Sequence, residues 1–228
     1  MKYTYLLVNF FTIIVPFLFS FHPKLQFQKT WRAFFPAVIF TGLFFLLWDE
    51  YYTSLGVWGF NRQYLIGIFA GHLPLEEILF FFCIPYACVY TYHCLDLFLK
   101  KDESPKIEPV LTVFFIVTFI MTGMLHWKQI YTAFAFLCPA LLLVLAKYVL
   151  KVNWLLRFYI IYGILLFPFL IVNGVLTGTG LDNPVVWYNE AHIFGQRILT
   201  IPVEDVFYGM AMVLMNLLIY KGLLKKKA

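Results

Sequence analysis

Two copies of one short motif, a proline, any residue and then two acids, each stand at the head of a long apolar stretch. Pro74-Leu75-Glu76-Glu77 runs into ILFFFCIPYACVYTY, and Pro202-Val203-Glu204-Asp205 runs into VFYGMAMVLMNLLIY. An acidic side chain in a membrane helix costs about 2.5–3.5 kcal/mol on insertion scales, so its presence points to chemistry or transport. Two carboxyls brought close in a dry site do not both ionise easily, and the pair titrates as a unit with one proton held ready. That equips Glu76, Glu77, Glu204 and Asp205 for general acid catalysis on a lipophilic substrate, the remaining carboxylates stabilising a developing cation or taking up a proton. Adjacent helical residues point about 100° apart, so one acid of each pair can face a cavity and the other a neighbour. The competing reading is plain helix-start chemistry, with proline at the first helical position and acids complementing the dipole in contact with water. Two acids per copy, in both copies, weigh against it.

The elements that must position these acids are membrane helices. Of 228 residues, 62% are hydrophobic and 13% charged, with a mean hydropathy of +0.82; a soluble domain carries roughly 25% charge. Apolar runs of spanning length fall near 4–21, 31–48, 74–96, 109–125, 130–147, 155–175 and 201–220. The expected fold is therefore an all-α integral membrane protein of seven transmembrane helices. The segments 49–73 and 176–200 are rich in Gly, Asn and Trp and are expected at the interface or folded over a cavity. The first run has a basic start but no small-x-small cleavage site, so it reads as a retained helix rather than a signal peptide. Cys83, Cys88, Cys94 and Cys138 fall in or beside apolar spans without metal-site spacing, and are expected as reduced, buried thiols.

Basic residues alternate along the chain. Lys24, Lys29 and Arg32, then Lys100, Lys101 and Lys106, then Lys147, Lys151 and Arg157, then Lys221, Lys225, Lys226 and Lys227 fall on one side, leaving Lys2, Arg62, Lys128 and Arg197 on the other. The positive-inside rule then sets the N-terminus out and the C-terminus in the cytoplasm of a cell (inner) membrane, with both acid motifs near the outer leaflet. The net charge of +5 serves this orientation and does not indicate nucleic acid.

The motifs lie 128 residues apart, and Asn61/Asn189, Gly67/Gly195, Glu76/Glu204 and Glu77/Asp205 keep that spacing, with Trp58 and Trp187 one residue off. The expected organisation is two parallel three-helix repeats, residues 1–99 and 129–228, joined by a linker with span 4 over 100–128. Parallel repeats of this kind place a site between the halves.

Supporting residues follow from the same logic. Asp49 and Glu50 after Trp48 read first as an interfacial stop, though Asp49 could reach the cavity. Asn173, whose match at the 128-residue spacing is Phe45, could orient a carboxyl across the repeat interface. Arg197 reads as an acid's partner and His72, four residues before Glu76, as an interfacial hydrogen bonder or a proton relay. Aromatics make up 21% of the chain; most face lipid, and a few could stabilise a carbocation. Five scattered histidines do not make a di-iron oxygenase. There is no Asp-rich prenyl-diphosphate motif, no dinucleotide fingerprint and no lysine within 201–220 to carry retinal.

The stretches Gly56–Tyr92 and Asn173–Gly209, with PLEE, PVED and their Trp and Asn neighbours, resemble the two signature regions of the small, flavin-independent membrane lycopene cyclases, in the fused single-chain form. WRAFFPAVIF and WDEYYTSLGVWGFN fit the same pattern, and Asp205 in place of a second Glu is a variation found there. The resemblance implies conversion of the linear ψ-ends of lycopene to β-rings (γ- and β-carotene) without net redox change or cofactor. It implies protonation at C2, attack of the C5=C6 bond on the C1 cation, and proton loss from C6, whereas loss from C4 would give an ε-ring. On this reading Glu76 or Glu204 is the expected proton donor, with Glu77 and Asp205 as paired base or electrostatic partner. Asp49, Asn61, Asn173, Asn189, Trp58 and Trp187 are expected in support, and no metal. The expected partners are lycopene, the bilayer and other carotenoid enzymes. Two alternatives stand beside it: a carotenoid end-group hydratase that begins with the same protonation, and a proton-coupled transporter or carotenoid-binding protein.

Overall fold

The structure is a computed structural model that describes residues 2–99 and 106–225. Lys100, Lys101, Lys226 and Lys227 lie outside them, as does much of the hydrophilic linker. Seven α-helices form close to the expected spans: α1 (Thr4–Phe19), α2 (Trp31–Ser54), α3 (Leu75–Phe98), α4 (Ile107–Leu125), α5 (Ile130–Val144, continued by a π-turn over Leu145–Val149), α6 (Leu155–Leu176) and α7 (Val203–Lys225). Six of them are long and apolar enough to cross a membrane. The seventh, α1, has 16 residues and so rises only about 24 Å, short of a hydrocarbon core of about 30 Å. Exposed Leu, Phe, Ile and Val side chains cover the outer faces, most densely on α1 and α4. The protein is an integral membrane protein.

One boundary moved in a way that matters. The second helix does not stop after Trp48 but runs on to Ser54, so Asp49 and Glu50 lie inside a helix. Asp49 is buried rather than an interfacial stop. The thiols are free, but only Cys83 is buried and the other three are partly exposed.

Between helices the described residues make three short antiparallel ladders. Each polar segment contributes a strand, a 3-10 turn and a two-residue hairpin. In the first these are β1 (Trp58–Phe60), the turn Arg62–Tyr64, then β2 (Phe69–Ala70) with β3 (Leu73–Pro74). In the second they are β4 (Val186–Tyr188), the turn Glu190–His192, then β5 (Arg197–Ile198) with β6 (Ile201–Pro202). Every one of these elements recurs at the 128-residue spacing. β1 pairs with β4 so that Trp58 faces Tyr188, Gly59 faces Trp187 and Phe60 faces Val186. Gly59 and Trp187 are themselves 128 residues apart, so the ladder closes on a local two-fold. Asn61 N–H donates to the Val185 carbonyl and Asn189 N–H to the Val57 carbonyl, each at 2.8 Å. Glycine is required at the centre, because a Cβ on Gly59 would lie 2.4 Å from the Trp187 ring.

Helix pairing follows the same plan. α1 packs along α3 and α5 along α7, while α2 leans more on α7 than on α3, so the halves interlock. The helix α4 has no counterpart and lies chiefly against α5. At the end of α3 away from its acids, Arg157 and Lys221 both hold Asp96, at 2.6 and 3.1 Å, and Lys147 pairs with Glu108.

Candidate active site

The two acids of each motif have separate surroundings. Glu76 and Glu204 are fully buried, Glu77 is 7% and Asp205 5% exposed, so neither pair sits in water at a helix end. Pro74 itself is the residue before α3, in extended conformation, with both acids in the first turn. Glu76 accepts the Ile66 N–H at 2.6 Å, and Glu204 accepts the matched Phe194 N–H. Glu204 also takes the Thr132 hydroxyl at 2.6 Å. In each copy the first acid therefore ties the descending loop onto the helix start. Gly67 and Gly195, with φ of +92° and +82°, allow the turn that brings that loop back. Removing the acceptor leaves the buried Thr132 hydroxyl and the part-buried Phe194 N–H without their partner. Glu204→Ala is expected to lower stability by about 1.5–3 kcal/mol, and Glu204→Gln, which keeps a carbonyl, by markedly less. Thermal unfolding of the detergent-solubilised protein reads both.

The second acids meet in one cavity of about 80 Å³ between the halves, lined by Glu77, Asp205, Asp49 and Asn173 among aromatic and apolar side chains. Glu77 Oε2 accepts the Tyr5 hydroxyl at 2.5 Å, and Asp205 Oδ1 accepts the Tyr131 hydroxyl at 2.5 Å. Tyr5 and Tyr131 hold corresponding places on α1 and α5, so this bond too is made twice. Beyond it the copies differ. Asp205 Oδ2 accepts the Asn173 amide at 2.6 Å and the Tyr188 hydroxyl at 3.0 Å, which brings three donors onto one carboxylate. Burial, followed by the charge of Asp205, pushes the Tyr188 hydroxyl well above its ordinary range, so it stays a donor. On the other side stands Asp49. Its Oδ1 accepts Trp58 Nε1 at 2.6 Å, while its Oδ2 is buried without a hydrogen-bond partner. One side of the cavity thus carries two carboxyls short of donors and the other a single carboxyl rich in them.

Aromatic faces complete the walls. Trp58 meets Tyr131 edge-on at 5.0 Å, Tyr131 stacks on Tyr188 at 5.9 Å, and Tyr208 approaches Trp58 at 6.5 Å. Of the residues singled out in the sequence, Glu77, Asp205, Asp49, Asn173 and Trp58 converge here. The others lie elsewhere. Asn61 and Asn189 each accept a backbone N–H two residues on, from Gln63 and Ala191, capping the 3-10 turns. Trp187 is 44% exposed over Gly59. His72 pairs with Glu50 and Arg197 with Glu190, both outside the cavity. Tyr5, Tyr131 and Tyr188 are the site residues that the sequence did not single out. Among the described residues no group of His, Cys, Asp and Glu is arranged to hold a metal ion.

The class that these observations define is a membrane helical bundle enclosing a buried, aromatic-walled cluster of carboxyls. The comparison with family models then gives the family. The model described as lycopene cyclase matches residues 2–95 and 128–223, leaving out the linker and the whole of α4, and the chain belongs to the lycopene cyclase family. No curated protein and no solved structure matches it.

Proposed function

We propose that this chain closes the linear ψ-ends of lycopene into β-rings, as an intramolecular lyase that makes γ- and then β-carotene with no net redox change. The observation that carries the reading is the meeting of Asp49, Glu77 and Asp205, from both halves, in one aromatic-walled cavity. The Asp49–Glu77 side holds the proton, because an unpartnered buried carboxyl oxygen is best satisfied as an acid. Glu77, steadied by Tyr5, delivers it to C2 of the end group and becomes the carboxylate. The C1 cation is captured by C6 of the C5=C6 bond, which moves the charge to C5. Asp205, held as a carboxylate by Tyr131, Asn173 and Tyr188, takes the proton from C6 and leaves the C5=C6 double bond of a β-ring. The aromatic faces stabilise the passing cation by about 0.5–2 kcal/mol each, and the apolar walls keep out the water that a hydratase would need. Glu76 and Glu204 also each keep one buried oxygen without a partner, but they do not line the cavity and their other oxygen holds a loop N–H, so this reading moves the donor from Glu76 or Glu204 to the Asp49–Glu77 side.

The distribution of basic residues supports an N-terminus outside and a C-terminus in the cytoplasm, with the cavity near the outer leaflet. The two segments matched by the family model and the elements recurring at the 128-residue spacing support descent from a duplicated three-helix unit. Expression in bacteria that accumulate lycopene tests the function. The expected extract contains isomers of lycopene that co-migrate with γ- and β-carotene. A product heavier by one water would assign a hydratase, and unchanged lycopene with the protein in the membrane would overturn the reading.

A further inference from the structure

The acid cavity has a neighbour of a different character. A groove of about 570 Å³ runs between α1, α3 and α6, lined almost wholly by apolar side chains. It shares Phe80, Ile84, Cys88, Leu165, Phe169 and Asn173 with the acid cavity, so a single layer of side chains separates the two. Along α6 it extends from Leu165 to Val175, about 15 Å of helix. The acid cavity, at about 80 Å³, is smaller than the roughly 150 Å³ that holds a benzene ring. An end group of a C40 polyene therefore fits only if the shared side chains swing aside, and swinging aside joins the cavity to the groove.

The corresponding crevice of the other half, between α5, α7 and α2, is filled. Trp48 of α2 stacks on Phe134 of α5 at 4.0 Å, and Phe45 meets Tyr208 of α7 edge-on at 5.0 Å. Phe134 stands three residues after Tyr131, as Val8 stands three after Tyr5, and Val8 lines the open groove. The unmatched helix α4 lies on the outer side of α5 as well.

We propose that the groove between α1 and α6 is the lateral entrance from the bilayer and the seat of the substrate's linear polyene tail, while the end group occupies the acid cavity. The occupant is an extended isoprenoid chain, because an apolar groove parted from the acid cavity by one layer of side chains suits a tail that has no polar group to satisfy. This inference rests on the cyclase reading for its substrate but concerns binding, which is measured separately.

The test uses the full chain in lipid nanodiscs, with binding of lycopene followed by energy transfer from protein tryptophan and turnover followed by pigment chromatography. Ala87→Trp and Val172→Trp fill the groove from α3 and α6 without touching the acid cavity. Met124→Trp adds the same bulk on the exposed face of α4 as a control. The expected result is a tenfold or greater loss of both lycopene binding and turnover in each groove variant, with Met124→Trp unchanged, all three eluting as folded protein. Native binding and turnover in the folded groove variants would overturn the groove. Should one variant fail to fold, the other carries the comparison. Groove-dependent binding of lycopene by a native chain that forms no ring would uphold the groove and overturn the cyclase reading. A native chain that does not bind lycopene would overturn both.

Discussion

Asp205→Asn is expected to leave a folded membrane protein whose rate of β-ring formation is lower by about 10³, the middle of the range for loss of a positioned general base. The argument lies in what surrounds the carboxylate. Tyr131, Asn173 and Tyr188 all aim donors at it. An amide in its place turns an N–H toward one of those donors and removes the charge that faces the cation. Protonation from the other side of the cavity is untouched, so cations still form but lose their proper exit. The residual products are therefore expected to include ε-ends, from proton loss at C4, or hydrated ends. Both are read by chromatography with mass detection on membranes carrying equal amounts of protein. Tyr188→Phe, which removes one of the three donors, should fall between native and Asp205→Asn. A variant with native rate and pure β-ends would remove Asp205 from the reaction.

Glu77→Gln is expected to stop the reaction one step earlier, with a loss of about 10²–10⁴ and no change in the kind of product. The glutamine can still accept the Tyr5 hydroxyl, so the fold has little reason to change. It has no acidic proton to give, and lycopene should persist while whatever small amount is cyclised carries ordinary β-ends. The contrast between a slow but faithful variant and a slow and unfaithful one separates donor from acceptor. The opposite pattern would exchange the two roles. Full activity in both would return attention to Glu76 and Glu204, whose glutamine variants should otherwise stay close to native activity because each keeps an acceptor for its loop N–H.

Much of this arrangement could be read before the fold was known, and the omissions have physical causes. The apolar helices stand out because lipid demands long apolar runs, although α1 proves shorter than the span expected of it, and the acid motifs stand out because lipid penalises charge. The 128-residue spacing survives through the loops and into α3 and α7. It fails on α1 and α5, where Tyr5 and Tyr131 are 126 residues apart, and a fixed offset therefore passes over the two tyrosines that hold the acids. Tyr188 is hidden by its setting in a run of aromatic residues. Asp49 read as the end of a helix because WDEYY resembles an interfacial stop, whereas α2 carries those residues on through another turn. Asn61 and Asn189 recur for a reason internal to the turns they cap. Which acid of each pair faces the cavity depended on the loop N–H groups of Ile66 and Phe194, and those are visible only once the hairpins fold.

On the proposed mechanism, the unequal donors around Asp49, Glu77 and Asp205 also govern what would happen between one ring and the next. Each ring closed in that way would consume a proton on one wall and deposit another on the opposite wall, so the spent site would be the mirror of the ready one. Restoring it requires only that a hydrogen ion cross the cavity from Asp205 back toward Glu77, past the hydroxyls of Tyr131 and Tyr188. Such a catalyst recharges from its own product step. Its resting polarity is written into the difference between Asp49 and Asn173, and it can cycle in a membrane interior without drawing on the water outside.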